Sequence, residues 1–446
     1  MRALYSPNIQ PHKVFKRDIS KKIMRISIVG AGYVGLVTGM SFTQFGHKVI
    51  FIDVDKYKVD SINSLKPPIY EKGLKDLMQK NKGRYYATAD YNKGIYNSEI
   101  TFICVGTPSK EDGSIDLEYI KSASKDIGKA LANKKDFHTV VVKSTVIPGT
   151  TEEIVKPILE KNSNKKAFKE FGLAMNPEFL REGSAVHDCL NPDRIVIGTQ
   201  DNRTRNILEK LYKPFNCPKI LVNIKTAEMI KYVSNAFLAT KISFANEIGN
   251  ICKALGIDVY DVFKGVGLDH RINPLFFKAG IGFGGSCFPK DVKALIKKAE
   301  ELNENPLILK SVIKVNEKQP LKMVELLKRH INNLKGKKIG ILGLAFKPDT
   351  DDIRESRAIP IVRALISEGA RIVAYDPKAM NNFTKIFPQI EYAKSAEEVL
   401  ATSDAILIIT EWKEFEELNY TNKIVIDGRR IEKAMKEAKI YEGVCW

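Results

Sequence analysis

Cys287 stands in the decapeptide Gly282-Phe283-Gly284-Gly285-Ser286-Cys287-Phe288-Pro289-Lys290-Asp291. A glycine-rich loop there delivers one thiol to the start of a predicted helix. Pro289 suits the first helical position, where a missing N–H costs nothing. Val292, Leu295, Ile296 and Ala299 continue at helical spacing. A thiol at such a terminus faces the positive end of the helix dipole, which favours the thiolate. Asp291, four residues on, shares its face. A nucleophile, a carboxylate and Lys290 within one turn suggest covalent chemistry. A buried, inert thiol behind a flexible loop is the competing reading.

Other polar groups could serve the same reaction. Glu178 and Glu182, in Asn176-Pro177-Glu178-Phe179-Leu180-Arg181-Glu182, share a helical face if that turn is helical; otherwise they are a solvated acidic turn. Lys231 and Asn235 lie one turn apart on a mostly apolar helix; a snorkelling lysine is the alternative. Lys347 and Arg429 each follow a predicted strand and could meet a phosphate. Gly30-Ala31-Gly32-Tyr33-Val34-Gly35 joins a strand to a helix. Its glycines permit a tight turn, close approach of a pyrophosphate and helix–strand packing. Asp53 ends the second strand, placed to bind a ribose 2′-OH and to repel a 2′-phosphate, so NAD is expected rather than NADP. Thr107 and Thr145 lie in turns at carboxyl ends of later strands, where open α/β sheets bind ligands.

These residues need a scaffold, and the chain is long enough for one. Its 446 residues suggest two or three domains. Residues 25–30, 48–54, 100–105, 139–143 and 172–175 read as buried parallel strands with helices between them. A long helix is expected over about 226–255, connecting domains and packing against a second subunit. After the polar linker Leu334-Lys335-Gly336-Lys337, a second α/β series begins: strands 338–344, 371–375, 405–410 and 423–427, and a helix near 358–367. The expected fold is α/β, with two Rossmann-like doubly wound domains joined by a central helical region. The boundaries expected are a disordered extension over 1–23, an NAD-binding domain over 24–215, a dimerising helical domain over 216–330 and a sugar-nucleotide domain over 331–446. The second series lacks GxGxxG, so it should not bind NAD in the same way.

Composition excludes several classes. No apolar run reaches the ~20 residues of a membrane span, and residues 1–22 lack the apolar core of a secretory signal. The six scattered cysteines and six scattered histidines predict reduced cytoplasmic thiols and no metal site. A formal net charge of +18 raises the question of nucleic acid, but the lysines are spread over every predicted helix. A solvated basic surface favouring anionic substrates is the expectation.

Taken together, GAGYVG, CVGTP, KSTVIPGT, NPEFLREG, AEMIKYVSNAFLA, GFGGSCFPKD, GLAFKPDTDDIRES and DGRR, in that order, resemble the UDP-glucose/GDP-mannose dehydrogenase family from about Met24 to Arg430. The resemblance implies oxidation of a nucleotide sugar's C6 alcohol to a carboxylate, with two NAD consumed and Cys287 carrying a thiohemiacetal and then a thioester. It implies that Lys231 acts in acid–base work or holds an oxyanion, with Asn235 as its partner. It further implies that Asp291 and Thr145 hold and activate water and that Glu178 is the base for thioester hydrolysis. Gly30, Gly32, Tyr33, Val34, Gly35, Asp53, Thr107, Thr145, Glu182, Lys290 and Arg354 are implied to bind NAD. Glu178, Phe179, Lys231, Asn235, Arg271, Phe276, Lys278, Gly284, Lys347 and Arg429 are implied to bind the sugar nucleotide, Arg271 from across a homodimer interface. FKPDTDD and SCFPKD resemble the UDP-glucose branch more than those using GDP-mannose or UDP-N-acetylhexosamines.

Overall fold

A computed structural model describes residues 23–446; the expected extension over 1–23 falls almost wholly outside the described residues. The first sheet comprises β1 (Arg25–Val29), β2 (Lys48–Ile52), β3 (Tyr85–Thr88), β4 (Ile100–Ile103), β5 (Thr139–Val142), β6 (Gly172–Met175), β7 (Ile195–Thr199) and β8 (Lys219–Val222). Their order is β3-β2-β1-β4-β5-β6-β7-β8. Every pairing is parallel except β6 with β7. The order reverses between β1 and β4, which opens a crevice at the carboxyl ends of the strands. Strands such as β4 (ITFI) and β5 (TVVV) are buried throughout, because helices cover both faces.

The second sheet comprises β9 (Lys338–Leu342), β10 (Arg371–Tyr375), β11 (Glu391–Tyr392), β12 (Ala405–Ile408), β13 (Ile424–Asp427) and β14 (Ile440–Gly443). Its order is β11-β10-β9-β12-β13-β14, parallel throughout. The expected α/β class with two doubly wound sheets and a helical middle is therefore present.

The helix Ile224–Leu255 links the two sheets over 32 residues, roughly 48 Å at 1.5 Å per residue. The Asn223 side chain caps its start by accepting from Thr226 N–H at 2.8 Å, and Gly256 ends it at φ +70°. Ile224 and Ala227 pack into a core of the first sheet, and Ala245 and Cys252 into the core of the second. Phe288–Glu301 then forms the expected helix, with Cys287 at its N-cap and Pro289 in its first turn. Val292 and Ala294 are buried, and Leu295 and Ile296 pack beside them.

Candidate active site

At the crevice the glycines divide the work. Gly30 takes φ +94° against the Cys104 carbonyl, so the tight turn excludes other residues. Gly35 packs so closely that an added Cβ would lie 1.9 Å from the Gly30 oxygen. Gly32 differs: a Cβ there would meet no protein atom within 4 Å. That open space fronts the start of the helix Tyr33–Gln44, whose N-cap Gly32 offers no side-chain acceptor. The orphan N–H groups of Val34 and its neighbours thus suit a pyrophosphate. Asp53 accepts from Ala31 N–H at 2.7 Å and Asp55 N–H at 2.9 Å, which fixes its carboxylate at the tip of β2. Tyr33 donates to Glu71 at 2.5 Å, and Glu71 in turn accepts from Gly183 and Ala185 N–H, each at 2.8 Å. Thr107 donates to the Thr145 carbonyl at 2.9 Å, tying the turns after β4 and β5 together.

Cys287 lies within electrostatic reach of Glu178, Lys231 and Asp291. The long helix contributes Lys231 and Asn235, and the turn after β6 contributes Glu178. Lys231 Nζ is 3.0 Å from Glu178 Oε1, both side chains being buried. Glu178 also accepts from Leu180 N–H at 2.6 Å. Burial alone would raise the Glu178 carboxyl; Lys231, the Leu180 N–H and Lys143 together hold it below its ordinary range. Burial likewise opposes the Lys231 ammonium, but Glu178, Cys287 and Asp291 outweigh it and push Lys231 up. The resting pair is thus carboxylate and ammonium. Asp291, 1 % exposed, accepts from Asn235 Nδ2 at 2.5 Å and from Lys290 Nζ at 2.6 Å. So Asn235 partners Asp291 rather than Lys231, and Lys290 points at this cluster.

The thiol itself corrects the sequence reading. Cys287 is exposed to solvent yet ringed by protein, as on the floor of an open cleft. Desolvation by the surrounding protein pushes its pKa up, Glu178 adds to the rise, and Lys231 opposes it. The sequence reading weighed the helix terminus alone; burial and the neighbouring carboxylates act in the opposite direction.

The C-terminal unit forms one wall of the cleft. The loop Phe346–Ser356 packs on the glycines of the cysteine loop: an added Cβ on Gly284 would lie 2.3 Å from the Glu355 oxygen, and one on Gly285 2.7 Å from the Phe346 ring. Arg354 lies 3.5 Å from Glu182 and 2.6 Å from Asp352, and Lys347 donates to the Glu182 carbonyl. Arg429 donates to the Ile409 carbonyl at 2.6 Å and sits 3.3 Å from Glu411. Two cations approach the Phe179 ring, Arg194 at 3.9 Å from its centroid and Lys231 at 5.4 Å. Phe276 meets Phe288 edge-on at 6.4 Å.

Two expected substrate residues are not brought in within one chain. Arg271, its side chain 77 % exposed, pairs with Asp269 at 2.6 Å, and Lys278 is exposed. Two others escaped the sequence reading. Lys143, buried, donates to Asn176 Oδ1 at 3.0 Å below Glu178. Glu228, one turn before Lys231, accepts from Gly149 N–H at 2.6 Å and Thr151 N–H at 2.9 Å. An acid three residues before Lys231 on an inward face was the available signal for the latter.

The family's NAD binding domain model matches residues 24–216, its central domain 225–318 and its UDP binding domain 340–434. The chain belongs to the UDP-glucose/GDP-mannose dehydrogenase family. It is an NAD-dependent oxidoreductase. It is 46 % identical over 419 residues to the UDP-glucose 6-dehydrogenase AglM of Haloferax volcanii, covering 92 % of this chain and 97 % of that one. It is 44 % identical over 357 residues to a GDP-mannose 6-dehydrogenase of Pseudomonas aeruginosa, covering 79 % of this chain and 81 % of that one. A UDP-glucose dehydrogenase structure from Pyrobaculum islandicum superposes with a TM-score of 0.92 at 43 % identity, over 96 % of this chain and 99 % of that one.

Proposed function

We propose that this member of the family converts UDP-glucose to UDP-glucuronate, with two NAD and one water consumed. The observation that carries the reading is the meeting of Cys287, Lys231, Glu178, Asn235 and Asp291 between the dinucleotide crevice and the C-terminal loop. NAD supplies the hydride acceptor, held by Gly32, Asp53, Thr107 and the flanking turns. In the proposed sequence, Cys287 sulfur adds to the C6 aldehyde, its proton passing to the new hydroxyl of a thiohemiacetal. That adduct carries the hydrogen an aldehyde cannot easily give up as hydride. Loss of a hydride and a proton leaves a thioester, and water then cleaves the C–S bond to carboxylate and free thiol. Lys231, an ammonium at rest, faces the oxyanion of each tetrahedral species. Glu178, a carboxylate at rest, takes a proton from the hydrolytic water, and Asp291 orients that water.

A substrate panel of UDP-glucose, GDP-mannose and a UDP-N-acetylhexosamine, read at the NADH absorbance, tests the specificity. UDP-glucose should react fastest and give two NADH per sugar. Cys287→Ser should stop at one NADH per sugar or stall on an adduct; full turnover by that variant would sink the covalent route. The boundaries 24–215, 216–330 and 331–446 form part of the same reading, as do a homodimer, Arg271 reaching the partner's cleft, and the cytoplasm. All six cysteines being free thiols supports a reducing compartment.

A further inference from the structure

The glycine loop that carries Cys287 makes few backbone hydrogen bonds to other backbone. Side-chain amides satisfy it instead. Gly280 N–H donates to Asn246 Oδ1 at 2.8 Å, and its carbonyl accepts from Gln319 Nε2 at 2.8 Å. Asn316 does more than either. Its Oδ1 accepts from Phe283 N–H at 2.8 Å, and its Nδ2 donates to the Phe283 carbonyl at 3.0 Å. One carboxamide thus pairs with both main-chain groups of one residue, as a neighbouring strand would. Phe283 lies four residues before Cys287.

Asn316 has no packing reason to be polar. It is 3 % exposed on the helix Leu307–Lys318, one turn after the buried Val312. An unpartnered amide there would be costly, and an aliphatic residue would suit the helix better. The loop backbone also fits around it: Gly282 takes φ +90°, and a Cβ there would lie 2.4 Å from Asn316 Oδ1. The contact extends into the C-terminal unit. The buried Arg357 donates to the Asn316 backbone carbonyl at 3.4 Å and holds the Glu355 carbonyl at 2.8 Å. That Glu355 oxygen abuts Gly284, while Gly285 N–H donates to the Arg354 carbonyl at 2.9 Å.

We infer that Asn316 is a positioning residue for Cys287: its carboxamide fixes the register of loop 280–286 against the central helices, and Arg357 makes that register depend on the C-terminal unit. This rests on the reading of Cys287 as the reacting thiol. Asn316 acts through the loop, by its two hydrogen bonds to Phe283.

The test uses the full-length chain with Asn316→Ala and Asn316→Asp. Three measurements are made on each: the alkylation rate of Cys287 by iodoacetamide without substrate, NADH formed per UDP-glucose, and the thermal midpoint. Both variants should change the alkylation rate and lower kcat by about tenfold or more, as expected for a displaced reacting group. The NADH ratio should fall from two toward one, with little change in KM for the sugar nucleotide. Asn316→Asp adds a signature that a merely structural role lacks. Its ionised carboxylate turns an acceptor toward the Phe283 carbonyl, whereas its protonated form restores the donor. The Asn316→Asp deficit should therefore shrink as pH is lowered, and that of Asn316→Ala should not. Should Asn316→Ala fail to fold, Asn316→Asp at low pH decides. Wild-type alkylation and stoichiometry in both variants would overturn the inference, as would a lowered midpoint with unchanged alkylation of the folded protein. If the unaltered chain oxidises no nucleotide sugar, the proposed function falls, while the alkylation comparison still decides the role of Asn316.

Discussion

At the residue scale, charge pairing fixes what each group can do. Lys231 and Glu178 are buried and 3.0 Å apart, so removing one strands the other. Lys231→Met should cost about 3–5 kcal/mol of stability on the scale of broken buried pairs, read by urea denaturation. The double variant Lys231→Met with Glu178→Leu should recover much of that stability and none of the activity. Cys287, Lys231, Asn235, Glu178 and Asp291 stood out by type and spacing, but each had a bland reading, and the family resemblance is what implied one site. The state of the thiol was not legible, since a local dipole argument omits the carboxylates that folding brings beside it. Nor was Asn316, because a lone asparagine in a helix carries no spacing signal. The pairing of Asn235 with Asp291 rather than Lys231 spans 56 residues of sequence and depends on how two helices cross.

At the scale of elements, the two glycines of the first turn make opposite predictions. Gly35→Ala places a methyl 1.9 Å from the Gly30 oxygen and should impair folding. Gly32→Ala meets open space; it should leave the thermal midpoint near wild type and raise KM for NAD about tenfold or more, by filling the space a pyrophosphate needs. A second element carries a pH response. His138, just before β5, is buried against Thr101 Oγ1 at 2.7 Å and is pushed down to about 3, mainly by burial and secondarily by Lys134. The unfolded chain binds that proton more tightly, so the stability from neutral His138 is present above the ordinary histidine range and is lost as pH falls toward 3. Between about pH 6.5 and 5 the loss should be about 1.6 kcal/mol; His138→Asn should flatten this slope in pH-dependent melting. Strands β1, β2, β4, β5 and β6 were readable as short apolar runs. Strand β3 was not, because on the sheet edge it alternates with exposed positions. Strand β7 is an apolar run too, but its antiparallel direction is a property of the connection, which no residue pattern encodes.

At the scale of the whole molecule, six of the exposed large apolar residues line one face of the long helix. Met229, Val233, Phe237, Phe244, Ile251 and Leu255 recur at helical spacing on the outer face of the long helix, each at least 41 % exposed. A stripe of this kind marks a protein interface, and it supports the proposed dimer. Val233→Asp with Phe237→Asp should yield a monomer by analytical ultracentrifugation. If Arg271 acts in the partner's cleft, that monomer should lose activity while retaining NAD binding. Mixing Arg271→Ala with Cys287→Ser chains should then regain about a quarter of wild-type activity, the share of sites with both residues intact after random re-pairing. The two-sheet architecture was legible from the repeated strand–helix alternation; the interdomain packing was not, since it rests on contacts such as Gly284 with Glu355 that lie far apart in sequence.

The same helix has a consequence for how the chain comes apart. It contributes Ile224 and Ala227 to one core, Ala236 and Ala239 to a second, and Ala245 and Cys252 to a third. Neither sheet can shed its side of that helix without exposing apolar surface in the others. Melting should accordingly be cooperative across both halves, a single calorimetric peak whose van't Hoff and calorimetric enthalpies agree per unfolding unit, where two independent halves would give two. A glycine pair placed at Thr240 and Lys241, midway along the helix, should split that peak by loosening the strut that joins the halves.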